Sequence, residues 1–368
     1  MAAPDVAGNP RPPNLGALFS NIRIKPWEQG KYRLVRRLQT AIFGDVLLFE
    51  PVGGAGRAVV AKRMESSEVI AVRPYRRRVR NAAGQPALDA HGQPVWEVMR
   101  KEDPQMEIGV LTYLTEQVKP AYILQALGCF QDERYVYFVT QYAERGDLFD
   151  EIHAVSQRAQ QLVPAPQAQN FCLPVALARQ YMAQLLLALR DLHQAGIAHM
   201  DVSAENIVIR ATSTLLLFDF GQAFQLFDSD GVRREITGKY GKPAYQSPEQ
   251  HTRGGPGRDP TKDDMFAAGV TLFVMLYGYI PWEWTSSIDR GWRYVTARGL
   301  RALLGHHARP VDDASMEVLE SLLNPSPANR PTPEEALALA WFQGEPVLAR
   351  DRRVRAGMQA KAAPAAQA

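Results

Sequence analysis

The chain has 368 residues, 46% of them hydrophobic and 22% charged, with a formal charge of +3 at neutral pH. That is enough apolar material for two lobes with a sizeable core, and too little net charge to make nucleic-acid binding the default. Two cysteines, Cys129 and Cys172, fit no metal or redox spacing and are too few for a disulfide framework, so an intracellular, cytoplasmic setting is expected.

Residues 1–31 are proline-rich and lack both an apolar signal-peptide core and a glycine at position two. They are expected to be loosely held, with Trp27 packing on the body and order beginning near Tyr32. The runs "YRLVRRL", "DVLLFE" and "AVVAKRM" are β-branched and separated by glycine-containing turns, which predicts three antiparallel strands. Residues from about 66 to 100 are polar, turn-rich and sharply basic at "RPYRRRVR", and read as an insertion. Around Arg76 the functional reading is a seat for an anionic or docking partner; the plainer one is a solvated charged hairpin. "KEDPQMEIGVLTYL" has helical periodicity and "RYVYFVTQY" reads as a buried strand, closing a β-dominated lobe at about residue 140.

From residue 141 to 342 the character is helical. "LARQYMAQLLLALRDLHQAG" is an amphipathic helix ending at a glycine. A second, smaller insertion is expected at about 155–173. The longest apolar run, "MFAAGVTLFVMLYGYIPW", carries glycines and Pro281 and follows Asp263 and Asp264, which suits a buried helix better than a membrane span. The tail, 343–368, is Ala-rich and basic and is expected to be disordered.

Chemistry-bearing residues recur in a particular order: Lys62 in "VVAK", Glu107 in "QMEIGVL", Asp201 and Asn206 in "HMDVSAENIVI", Asp219 in "DFG", Glu249 in "SPE", Asp264 in "DDMFAAGV" and Arg330 in "NRPTPEEAL". None is decisive alone. Their joint order and spacing resembles the protein-kinase family, of serine/threonine type, over roughly residues 32–342. The resemblance implies a bilobal α+β fold: a small antiparallel β N-lobe with one regulatory helix, and a larger, mostly α C-lobe. It implies ATP and Mg²⁺, and transfer of the γ-phosphate to serine or threonine hydroxyls of protein substrates.

The roles follow residue by residue from the resemblance. Lys62 holds the α- and β-phosphates and Glu107 fixes its ammonium; Asp219 and Asn206 take Mg²⁺; Asp201 accepts or orients the proton of the acceptor hydroxyl. Adenine lies between Val46 and Ala61 above and Val208 below, with backbone bonds at Gln141 and Ala143, Thr140 as gatekeeper and Asp147 at the ribose. His199 is expected to be structural, packed with Phe220 and Leu111. For each residue alone the plainer reading is ordinary: a surface ion pair for Lys62–Glu107, a capping acid for Asp201, core packing or a solvated loop acid for Thr140 and Asp147.

The sequence also departs from the pattern. The phosphate-covering loop G-x-G-x-x-G reads Gln39, Ala41 and Gly44, so only Gly44 survives, with Phe43 at the tip. Ser203 stands where catalytic loops carry a lysine, while Lys242 in "GKPAYQSPE" stands where the activation segment carries a threonine. The two roles look exchanged, the ammonium arriving from the other segment. Met200 replaces the arginine that clamps a phosphorylated activation loop, so activity is not expected to require phosphorylation at Ser229, Thr237 or Tyr240. Glu205 and Asp147 are candidate determinants for a basic residue ahead of the acceptor. A working kinase is the leading reading. The alternative is a pseudokinase scaffold that binds nucleotide or partners without efficient catalysis; a small-molecule kinase sits poorly with "SPE", Asp264 and Arg330.

Overall fold

The computed structural model describes residues 14–28, 30–54, 56–70, 76–78, 96–98, 102–162, 172–252 and 257–351. The N-lobe is built on one sheet in the order β1-β7-β8-β4-β3-β2. Its strands are β1 (Lys25–Pro26), β2 (Tyr32–Ala41), β3 (Gly44–Pro51), β4 (Val59–Glu65), β7 (Ala126–Gln131) and β8 (Tyr135–Gln141). Between β4 and β7 lie α1 (Ser66–Ile70), a short antiparallel pair β5 (Arg76–Arg78) and β6 (Trp96–Val98), and α2 (Pro104–Tyr113). Arg76 thus falls at the start of one strand of a hairpin; most of the basic insertion lies outside the described residues.

Alternation along β4 divides its side chains between two faces. Ala61 and Val59 join Leu47, Phe49, Tyr137 and Val139 in an outer apolar cluster, while Lys62 and Val60 face the opposite side. Trp27 caps the outer cluster, stacked on Tyr137 at 4.5 Å between ring centroids and edge-on to Phe49. Order therefore begins before Tyr32: β1 pairs in parallel with β7, and Leu15 and Leu18 are buried.

The C-lobe holds α3 (Leu148–Leu162), α4 (Val175–Gln194), α5 (Pro260–Tyr277), α6 (Arg290–Arg298), α7 (Leu300–His306), α8 (Asp313–Leu322) and α9 (Pro333–Leu337), with short pairings of β9 (Ile197–Ala198), β10 (Ile207–Ile209), β11 (Leu215–Leu217) and β12 (Phe224–Gln225). α5 is apolar nearly all round and buried along its length, the pattern of a central core helix. Asp259 caps its start beside Pro260, and Gly278 ends it at φ +77°. Among the described residues no helix is long and apolar enough to cross a membrane.

Two boundary expectations shift. α3 runs through Leu162, so the second insertion, expected from about 155, opens inside a helix; residues 163–171 lie outside the described set. The expected disordered tail starts ordered: Glu345 is buried, and Asp351 pairs with Arg190 of α4 at 2.8 Å. The rest of that tail lies outside the described residues.

The base of the C-lobe is tied by Arg330, which is fully buried. It donates to both Glu249 carboxylate oxygens, at 2.6 and 2.7 Å, and to the carbonyls of Lys262, Asn324 and Pro325. Removing one partner of such a pair strands a buried charge. Arg330→Ala is therefore expected to destabilise the protein by about 3–5 kcal/mol, seen as a lower denaturation midpoint in a chemical melt followed by circular dichroism; an unchanged midpoint would show the pair contributes no stability.

Candidate active site

A cleft of about 530 Å³ lies between the lobes, lined from above by Val46, Val60 and Lys62 and from below by Leu124, Val208 and Phe218. Its back carries Thr140, Gln141 and Ala143; Asp147 stands at the mouth, where its carboxylate also caps α3 by accepting from Asp150 N at 2.8 Å. The Gln141 N–H donates to the Gln125 carbonyl, whereas the Ala143 N–H meets no protein acceptor among the described residues.

Lys62 reaches across to α2 and donates to Glu107 at 2.6 Å, with both side chains largely buried. Burial alone would lower the lysine's pKa, but Glu107 and Asp219 hold it raised, so the ammonium is retained. α2 is placed by its own cap. The Asp103 side chain accepts from Gln105 and Met106 N–H, and the Asp103 N–H donates to the Gly221 carbonyl, joining the helix start to "DFG".

The loop from His199 to Asn206 is held by Asp264, whose two oxygens accept from the His199 and Met200 N–H groups, each at 2.8 Å, and which also meets His193 Nε2 at 2.9 Å. His199 packs on Phe220, at 4.9 Å between rings, and links the loop to the next segment through Phe218 O. Met200 and Asp219 both sit at left-handed backbone angles, φ +68° and +66°. Such conformations persist only where surrounding contacts enforce them.

Asn206 donates its amide nitrogen to both the Asp201 carbonyl and Asp201 Oδ2, at 2.7 and 2.8 Å. Its amide oxygen is left for another partner. Asp201 Oδ1 is buried without a hydrogen bond, and burial pushes this carboxyl's pKa up although Lys242 opposes the shift. Opposite it, Lys242 Nζ donates to Ser203 Oγ at 2.7 Å and lies 3.7 Å from Glu205. Gly241, at φ +72°, makes that approach feasible: a Cβ there would sit 3.3 Å from Asp201 Oδ1 and 3.0 Å from Met200 O.

The chain matches the protein kinase domain family over residues 53–342. It belongs to that family. Serine/threonine-protein kinase chk-1 of Caenorhabditis briggsae is 26% identical over 92% of this chain and 57% of its own length. CBL-interacting serine/threonine-protein kinase 7 of Arabidopsis thaliana is 28% identical over 85% of this chain and 60% of its own. Serine/threonine-protein kinase CHK1 of Mycosarcoma maydis is 31% identical over 58% of this chain and 29% of its own. The chain thus spans less than two thirds of each of these relatives.

Protein kinases use ATP and Mg²⁺, and the donor set fits them. Asp219 and the amide oxygen of Asn206 are hard oxygen donors suited to Mg²⁺, and Lys62 is a retained cation in a cleft that is apolar at its adenine end. When bound, the cation would neutralise phosphate charge and leave the protein to position the reactants.

Several expected contacts move. Val60, not Ala61, faces the cleft, because Lys62 does and side chains two apart share a strand face. Phe43 packs against the main core, and the residues lining the cleft at that hairpin are Thr40, Ala41 and Ile42. Gly44, at φ +145°, serves the sheet: a Cβ there would overlap the Arg63 carbonyl, so its retention reports packing of β3 on β4. Glu205 faces Lys242, which offsets the acid's pull on a basic substrate residue.

Glu102 is a cleft acid that the motifs did not mark. Burial, with Asp219 adding, pushes its pKa up to about 7. It stands at the C-terminal edge of the basic insertion, one residue ahead of the α2 cap, and no motif position flags it.

The Val60 correction is open to test. Val60→Phe is expected to weaken nucleotide binding about 100-fold, the scale of discrimination that shape exclusion in an apolar pocket achieves. Ala61→Val is expected to leave binding near the wild-type value while lowering the melting temperature by overpacking the outer cluster. Titration with a fluorescent nucleotide analogue, beside a thermal melt, separates the two.

Proposed function

We propose that the chain is an ATP- and Mg²⁺-dependent serine/threonine protein kinase in which Lys242, from the activation segment, replaces the catalytic-loop lysine. The observation that carries this is the 2.7 Å contact from Lys242 Nζ to Ser203 Oγ beside Asp201. A serine too short to reach a phosphate can still steer an ammonium. An ammonium acts as a point charge without fork geometry, so its strand of origin matters little. Chance decay of the loop would not be expected to supply a cation at the partner position.

In this reading Asp201 Oδ1 receives the acceptor hydroxyl and takes its proton as that oxygen bonds to the γ-phosphorus and the bond from the γ-phosphorus to the bridging oxygen breaks, releasing ADP. Lys62 offsets negative charge on the α- and β-phosphates, and Lys242 on the transferring phosphoryl group. Asn206, pinned by its amide nitrogen to Asp201, couples the base to the metal position. The acceptor peptide would enter over the hollow lined by Phe149, Tyr245, Tyr279, Trp284 and Lys242, which adjoins Asp201 through Lys242.

Control is proposed to rest on apolar packing instead of a phosphate clamp. Met200 is buried with Leu226 and Ile236, and Phe224, Phe227 and Tyr240 close over them. This cluster holds the activation segment where kinases with an arginine use a phosphorylated residue.

Two outcomes follow. In single-turnover transfer from MgATP to a serine/threonine peptide library, Lys242→Ala and Lys242→Thr are each expected to lose about 10²-fold or more in rate, with Asp219→Asn inert as control. An equally active Lys242→Ala protein would sink the exchange, and an inert wild type that binds nucleotide would favour the scaffold reading suggested by the missing loop glycines. Phosphatase-treated wild type is expected to retain its transfer rate; loss of activity on dephosphorylation, measured on the same peptides, would refute control by packing.

A further inference from the structure

The N-terminal stretch crosses the back of α2 as a strap with two anchored ends. At one end Trp27 stacks on Tyr137, its N–H donates to Gln131 O at 2.7 Å, and β1 extends the sheet beside β7. At the other end the Leu15 N–H donates to Gln225 Oε1 at 3.2 Å, four residues beyond Gly221 in the activation segment. Asn14 caps the first turn there by accepting from Gly16 N–H.

Between the anchors, Leu15 and Leu18 are buried in the main core cluster that contains Ile108, Val110, Leu111 and Leu114. Phe19, Ile22 and Ile24 pack partly against the same cluster. The closest approach is at Gly109. A Cβ on that residue would lie 3.0 Å from Leu18 Cβ and 3.0 Å from Phe19 N, so the strap's main chain rests on the helix backbone.

Gly109 follows Glu107 by two residues, about 200° of helix rotation. The side of α2 that receives the strap is therefore the side opposite the one that presents Glu107 to Lys62. The strap also ends on Gln225, while the helix begins on Gly221, so one short stretch of chain joins helix, sheet and activation segment.

We propose that Leu15 and Leu18 are positioning residues for phosphoryl transfer: they hold α2 forward so that Glu107 keeps Lys62 in the cleft. This rests on the reading of the chain as an active kinase. A cis strap of this kind makes activity sensitive to whatever removes it, such as proteolysis between residues 14 and 27 or a competing ligand under it. A hollow is present there, between Leu18, Ile22 and Arg23 of the strap and Thr112, Glu116 and Cys129 behind it.

The test uses the full chain, comparing wild type, Leu15→Asp/Leu18→Asp and Leu15→Met/Leu18→Met. The aspartate pair is expected to lower the single-turnover rate about tenfold with the peptide KM unchanged, and to speed amide exchange along α2. The methionine pair should behave as wild type. In a Glu107→Gln background the aspartate pair should add little further loss, because both changes act through one ion pair. A wild-type rate in the aspartate pair, or an equal further loss in the Glu107→Gln background, overturns the proposal. Should the aspartate pair not fold, Gly109→Ala disturbs the seat alone and is read in the same way. If wild type itself transfers no phosphate, the kinase reading fails separately, and α2 amide exchange still decides whether the strap holds the helix.

Discussion

The carboxylate of Asp264 is the constraint on which the site depends. The stretch from His199 to Ser203, which places Asp201, lies outside helix and strand, so its backbone donors need acceptors from elsewhere. Asp264, from the buried core helix, takes the His199 and Met200 N–H groups at once. With those bonds made, Met200 can hold φ +68°, His199 can reach Phe218 O, and Asp201 meets Asn206. The apolar, nearly all-buried character of α5 is thereby linked to chemistry: a helix that cannot shift gives a loop that cannot drift.

Two further ties set the remaining geometry. The start of α2 is bound to Gly221, so the helix that carries Glu107 and the turn that carries Asp219 are joined directly. Arg330 and Glu249 bind the end of the activation segment to the base of the lobe, which fixes where Lys242 begins its reach. Gly241 then removes the side chain that would stand between Lys242 and the catalytic loop. A lysine in place of a threonine is thus matched by its surroundings, with a hydroxyl acceptor at Ser203 and an acid at Glu205.

Much of this was legible before any coordinates. The strands β2, β3 and β4 are β-branched runs between turns, and α4 and α5 carry helical or uniformly apolar patterns, so local chemistry and tertiary role agree. Motif order marks Lys62, Glu107, Glu249, Asp264 and Arg330, and the structure joins them as the pairs Lys62–Glu107 and Arg330–Glu249 and the Asp264 anchor of the His199 backbone. What escaped depends on neighbours. Ala61 and Val60 are interchangeable in composition and are told apart only by strand parity. The strap has a proline-rich flank that reads as loose, and its few apolar residues gain meaning only where Gly109 opens a seat. Met200 was legible as a missing arginine, but the apolar cluster around it is assembled, apart from Ala198, from residues 24 to 40 positions away in the chain.

The central claim is that a phosphate-directed cation has changed segments without changing place. The most direct measurement is single-turnover phosphoryl transfer by the exchanged variant Ser203→Lys/Lys242→Thr, which restores the usual arrangement of the two side chains. The account predicts that this variant recovers most of the wild-type rate while Lys242→Thr alone does not. An exchanged variant as inactive as Lys242→Thr, folded and still binding nucleotide, would contradict it.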